Sequence, residues 1–225
     1  MSTLGRRQLW RLRKSDWVLS EDLLGGCAQP AAGYDKENRF FFEDFDELRE
    51  AKYLLAAVPK EFGGLGLILA EICREQRRLA RHSAPTALAI NMHIGATGVA
   101  VDLRRKGDSS QVWLLEEARE GAVFSYGYSE SGNNFGVLYA TGKAERVDGG
   151  YDFFRHKHFG SLTPVWTWLN IYGLHAANQD DAEIVHGVMA RDLPGYRMVE
   201  TWDTACGRPP ARTPSSRGLS FRISA

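Results

Sequence analysis

Several side chains in this 225-residue sequence are of types that carry chemistry. His156 and His158 flank Lys157, a spacing that puts two imidazoles on one face of a strand, where they would bind a metal or, more simply, meet solvent. Glu130 is either a base or a carboxylate that holds its own loop by accepting backbone N–H bonds; the loop-holding role is the simpler. His93 lies in an apolar run and reads as a satisfied core histidine, with contact to a substrate or activation of oxygen as the alternative. Tyr126, Tyr128 and Phe159, taken alone, are sheet or core aromatics. Cys27, Cys73 and Cys206 are odd in number, far apart and in no CxxC spacing, which excludes a disulfide framework and points to a reducing, cytoplasmic setting.

Two kinds of element must position these groups. Before residue 121 the periodicity is helical. Residues 1–39 are interrupted by Gly25-Gly26, Pro30 and Gly33 and are expected to be poorly ordered or weakly helical. Asp44 and Glu47 resemble a capping box for a helix carrying Phe45, Leu48, Leu55 and Val58 and stopped by Pro59. A glycine-rich turn, Gly63-Gly64-Leu65-Gly66, leads into a second amphipathic helix marked by Leu69, Ile72, Leu79 and an arginine face. Ser83 and Pro85 start a third helix, apolar nearly all round and therefore central, in which Gly95 and Gly98 permit close approach. A fourth, Ser110–Arg119, ends at Gly121.

From Ala122 the period changes to two. Strands are predicted at Val123–Tyr128, Val137–Val147, Tyr151–Leu162, Val165–Ala176 and Glu183–Ala190, with a further one at Arg197–Thr201. Asp148-Gly149-Gly150 supplies a hairpin turn. The tail from Ala205 to Ala225 is rich in Pro, Arg and Ser and lacks periodicity. The fold class is thus α+β, an N-terminal all-α domain over 40–121 followed by an antiparallel β-barrel or sandwich domain over 122–204, with 205–225 irregular. Charge balances at 28 basic and 28 acidic residues, so no excess calls for nucleic acid or an anionic membrane. No apolar run approaches the roughly 18–20 residues of a membrane span. The basic start, Arg6 to Lys14, is consistent with a transit peptide or a surface arm and lacks the apolar core of a secretory signal.

Four features in this order resemble the acyl-CoA dehydrogenase family. Val58-Pro59-Lys60-Glu61-Phe62-Gly63-Gly64-Leu65-Gly66 is similar to that family's turn in the N-terminal helical domain, and Asn91-Met92-His93 stands where the family approaches its acyl pocket. Tyr126–Asn134 looks like a divergent TEPxAGSD-type segment, and Phe153–Ser161 like its xGxKxWIT strand. The resemblance implies FAD as cofactor, met by Tyr126, Tyr128, Ser129, Phe159 and Ser161, and an acyl-CoA thioester met by Asn91, His93, Asn133 and Asn134. Ser129 keeps a hydroxyl where the family has Thr; the motif's Pro and second Gly are absent. The implied reaction is α,β-dehydrogenation with hydride transfer to flavin, with a reduced-flavin monooxygenase of the same fold, or a non-catalytic remnant, as alternatives. Electron-transfer flavoprotein and homo-oligomerisation belong to the same implication. The family's carboxylate base and part of its flavin grip come from a C-terminal four-helix domain that is absent from these 225 residues, so no catalytic residue is assigned and weak or no activity is expected of the chain alone. The abrupt change at Ala205 is what a frame change in GC-rich coding DNA would produce.

Overall fold

The structure is a computed structural model that describes residues 17–37, 39–130, 140–158, 160–176, 182–197 and 219–223. Helix α1, Glu21–Glu37, runs through the glycines and proline expected to interrupt that stretch. Ser20 caps it, its hydroxyl accepting the Leu23 N–H at 3.1 Å, and Leu24, Cys27 and Tyr34 bury one face. Those tertiary contacts override weak local propensity. The segment before it is tied down by Arg78, which sits 3.8 Å over the Trp17 ring and donates to the Leu19 carbonyl at 2.8 Å.

Helix α2 spans Phe42–Glu50 and ends sooner than Pro59 would have stopped it. Lys52 adopts a left-handed conformation and Tyr53–Leu55 forms a 3-10 turn, so Leu55 and Val58 lie beyond the helix. Asp44 falls inside α2 and is no cap. It is 2% exposed and accepts hydrogen bonds from the Tyr34 hydroxyl at 3.1 Å and the Thr86 hydroxyl at 2.6 Å. In the turn that follows, Gly63 has φ +81°, and a Cβ on Gly64 would lie 2.0 Å from the Val58 carbonyl oxygen. Only glycine permits this reversal. Helix α3, Leu69–His82, begins with Glu71 accepting the Ile68 N–H at 2.9 Å. Helix α4, Ala84–Arg105, starts at Ser83 and Pro85 and buries Ala87, Ile90, His93, Ile94 and Thr97. Its other side is open: Leu88 and Val99 are each 50% exposed, and a Cβ at Gly95 or Gly98 would meet nothing within 4 Å. Helix α5, Val112–Arg119, ends before Gly121, which takes φ +97°.

The strands are β1 Phe124–Gly127, β2 Ser129–Glu130, β3 Lys143–Val147, β4 Gly150–His158, β5 Trp168–Ala176, β6 Ala182–Ala190, β7 Tyr196–Arg197 and β8 Leu219–Ile223. Among the described residues they form one sheet, β1-β5-β3-β4-β8-β7, with β2 on β4 and β6 on β5. Five of the seven pairings are antiparallel, and the two parallel ones, β1–β5 and β3–β5, both involve β5. The expected hairpin joins β3 to β4, with Gly149 at φ +82°. Beyond Arg197, the strand expected to Thr201 lies outside the described residues.

Helices and sheet share a core. Val58, Ala96, Ala100, Leu114, Leu115 and Phe124 pack together, so β1 is seated on α4 and α5. Trp113 of α5 stands edge-on to Trp168 of β5 at 5.3 Å, and the Trp168 indole N–H donates to Glu117 at 3.2 Å. Leu162, in the turn after β4, is fully buried in the helical core with φ +65°. A branched aliphatic residue in that region is strained and must be held by its surroundings.

Candidate functional site

Of the residues singled out by sequence, Tyr126 and Tyr128 come together at β1, while Ser129 opens β2 and Ser161 lies in the turn after β4. Tyr126 and Tyr128 sit two apart on one side of the chain, their rings 4.9 Å apart. Tyr128 is 4.7 Å from the Tyr172 ring of β5 and 5.8 Å from His186 of β6, and its hydroxyl lies 3.5 Å from His186 Nδ1. The register explains this: Tyr126 pairs with Asn170, and Tyr172 with His186, so the four rings share one face. Ser129 is exposed and pairs with His158 through the backbone. Ser125 donates its hydroxyl to the Ser161 carbonyl, which fastens the turn after β4 to β1. Arg191 clamps the rest of that turn, donating to the Thr163 and Trp166 carbonyls at 2.8 and 3.0 Å.

The face is uncharged at neutral pH. Burial pushes the Tyr126 phenol up to about 12 and the Tyr128 phenol higher still, the latter helped by neighbouring Tyr126 and Tyr172. Both therefore remain O–H donors. Burial lowers the His186 imidazole, which stays neutral. Rings and phenol hydroxyls of this kind can stack a planar heteroaromatic and donate to its polar edge.

Beneath this face Glu130 and Lys157 form a buried ion pair, with side chains 0% and 2% exposed. One Glu130 oxygen faces Lys157; the other accepts the Thr141 N–H and hydroxyl at 2.7 Å and the Gly142 N–H at 3.1 Å. Lys157 also donates to the Tyr172 carbonyl at 2.7 Å and lies 4.3 Å from that ring's centroid. Burial drives the Glu130 carboxyl up, but the hydrogen bonds from Lys157 and Thr141 outweigh it and hold the group below its ordinary value. Glu130 is thus an acceptor that closes a loop rather than a free base.

The remaining candidates lie elsewhere. Asn91 is exposed on α4 and accepts from Gln76 at 3.2 Å. His93, two residues on and so roughly 200° round the helix, is buried, with both ring nitrogens bonded to backbone. The expectation that His93 meets a substrate is corrected: neither nitrogen is free to do so. Asn133, Asn134 and Phe159 lie outside the described residues. Tyr172, His186 and Lys157 went unnoticed as members of the site, because alternation assigns faces without saying which strands will be neighbours.

A helical part followed by a mostly antiparallel sheet is the arrangement of the acyl-CoA dehydrogenase fold, which solved structures share with this chain over 90% of its length. Residues 26–111 match the family model for the acyl-CoA dehydrogenase N-terminal domain. The chain is 28% identical over 179 residues to the Bacillus subtilis (strain 168) protein named "Putative acyl-CoA dehydrogenase YdbM", covering 78% of this chain and 46% of that one. It is likewise 28% identical over 196 residues to L-evernosamine nitrososynthase of Micromonospora sp. (strain ATCC 39149 / NRRL 15099 / SCC 1413), covering 81% and 44%. Among solved structures, KijD3 in complex with FMN and a dTDP-linked amino keto sugar superposes with TM-score 0.69 at 26% identity, over 90% of this chain and 48% of that one. The chain spans less than half the length of the curated relatives it matches.

Proposed function

We propose that this chain supplies one wall of a flavin site in an oxidoreductase, with the isoalloxazine lying against Tyr126, Tyr128 and Tyr172 and its polar edge met by Ser129 and the turn at Ser161. The observation that carries the reading is the cluster of the Tyr126, Tyr128 and Tyr172 phenol rings with the His186 imidazole on one face of the sheet. When bound, the flavin would supply the electron acceptor or donor for the substrate. The chain's own residues do the rest: the tyrosines exclude water from one ring face and keep their protons, Ser129 donates at the rim, and the Glu130–Lys157 pair fixes the strand that carries them.

Two reactions fit. Dehydrogenation of an acyl-CoA thioester with FAD, passing electrons to an electron-transfer flavoprotein in a cytoplasmic setting, is favoured by the likeness to YdbM and by the glycine turn. Oxygenation of a different substrate with a reduced flavin such as FMN is favoured by the missing Pro and second Gly of the Tyr126–Asn134 segment and by the likeness to L-evernosamine nitrososynthase and FMN-bound KijD3. Protein reconstituted with FAD or FMN is titrated anaerobically with acyl-CoAs of graded chain length. Bleaching of the flavin by thioester alone supports dehydrogenation. Absence of bleaching, with oxygen consumed once the flavin is chemically reduced, supports the second reaction. Folded protein that retains neither flavin would defeat both.

A further inference from the structure

We infer that His93 is a pH-sensitive latch fastening β1 to the helical part, and that a second proton on its ring lets the strand go. The geometry is complete. His93 Nε2 lies 3.0 Å from the Leu54 carbonyl oxygen, and Nδ1 lies 3.0 Å from the Phe124 amide nitrogen. A carbonyl only accepts and an amide N–H only donates, so the ring must be neutral, with its proton on Nε2. One imidazole thereby joins α4, the Tyr53–Leu55 turn and the first residue of β1. The ring is 0% exposed and stacks on Phe124 at 5.9 Å, which leaves no water to substitute for a lost partner. A proton on Nδ1 would set two donors against each other in a buried site, a full desolvation penalty with no bond to offset it.

No charge near the ring competes with this effect. From the Tyr53–Leu55 turn the titratable group is Tyr53, whose hydroxyl donates to Gln76. On α4 the neighbouring polar group is Thr97, whose hydroxyl bonds the His93 carbonyl at 3.2 Å. On β1 the facing group is the Phe124 ring, and from α5 Trp113 stands edge-on to that ring. Among the described residues no carboxylate or cation acts on the imidazole: burial lowers its pKa to about 4, against a smaller opposing effect of the Leu54 carbonyl. The folded state therefore binds fewer protons than the unfolded one between about pH 4 and 6.5, and the joint weakens as pH falls through that window. Two residues beyond Phe124 begin the tyrosines of the aromatic face, so opening of the latch displaces that face. The inference stands whether or not a flavin binds.

Hydrogen exchange of the full chain, read by mass spectrometry and corrected for intrinsic exchange rates, tests it. The peptide over 122–128 is expected to open about 30-fold more readily at about pH 5 than at about pH 8, while a peptide within α3 changes far less. His93→Asn keeps an acceptor for the Phe124 N–H without a titratable ring and is expected to abolish most of that pH dependence. Should this variant fail to fold, 15N NMR of the wild-type ring gives the same decision: a neutral Nε2–H tautomer persisting below pH 6 supports the latch. Equal pH dependence in wild type and His93→Asn, or a ring already protonated at pH 6, overturns it.

Discussion

Glu130 and Lys157 show how a residue's role is set by its partner rather than its type. Breaking this buried pair leaves an uncompensated charge, a loss of about 3–5 kcal/mol. Lys157→Met is expected to lower the urea midpoint accordingly, and Glu130→Gln added to it to recover part of the loss. Because the Glu130 carboxyl is held below its ordinary value, its contribution is present above the unfolded carboxylate range and is lost as pH falls into it, so the wild-type advantage over the double variant should shrink on acidification. The loop-holding role of Glu130 was legible from the sequence; that of Lys157 was not. Between two histidines in an alternating strand it resembles a solvated lysine, and its burial depends on a carboxylate 27 positions away.

At the level of elements, local signals worked where the chain's own geometry decides. The Val58–Gly66 reversal is the clearest case, since Gly64 packs its Cα against the Val58 carbonyl. Gly64→Ala is expected to cost at least about 3 kcal/mol, whereas Gly25→Ala, on the open side of α1, should stabilise by roughly 0.5–1 kcal/mol. Chemical denaturation of the two variants measures the contrast. Equal effects would show that the reversal is not built as described. Local signals misled where distant contacts decide. Helix α1 survives Pro30 because Leu24, Cys27 and Tyr34 are buried against the rest. Asp44 looks like a cap, yet it bonds Thr86, 42 residues away.

For the molecule as a whole, the order of helices before strands was legible because hydrophobic period changes at Ala122, and the fold class follows from that change. The grouping of the site was legible only in part. Tyr126, Tyr128 and Ser129 are contiguous, but Tyr172 and His186 join them through strand pairings that no local pattern encodes. Helix α4 presents Leu88, Gly95 and Val99 to solvent, at spacings that put them on one face. That stripe should bind an apolar dye such as ANS, and Leu88→Lys with Val99→Lys should reduce dye binding while shifting stability by under about 1 kcal/mol. The central claim, that the β1–β5–β6 face holds a flavin ring, is tested most directly by titrating FAD and FMN with the protein and following flavin fluorescence. The account predicts saturable quenching, weakened roughly threefold to tenfold by Ser129→Ala and further by Tyr128→Ala, in variants that remain folded. Quenching indifferent to both substitutions would contradict it.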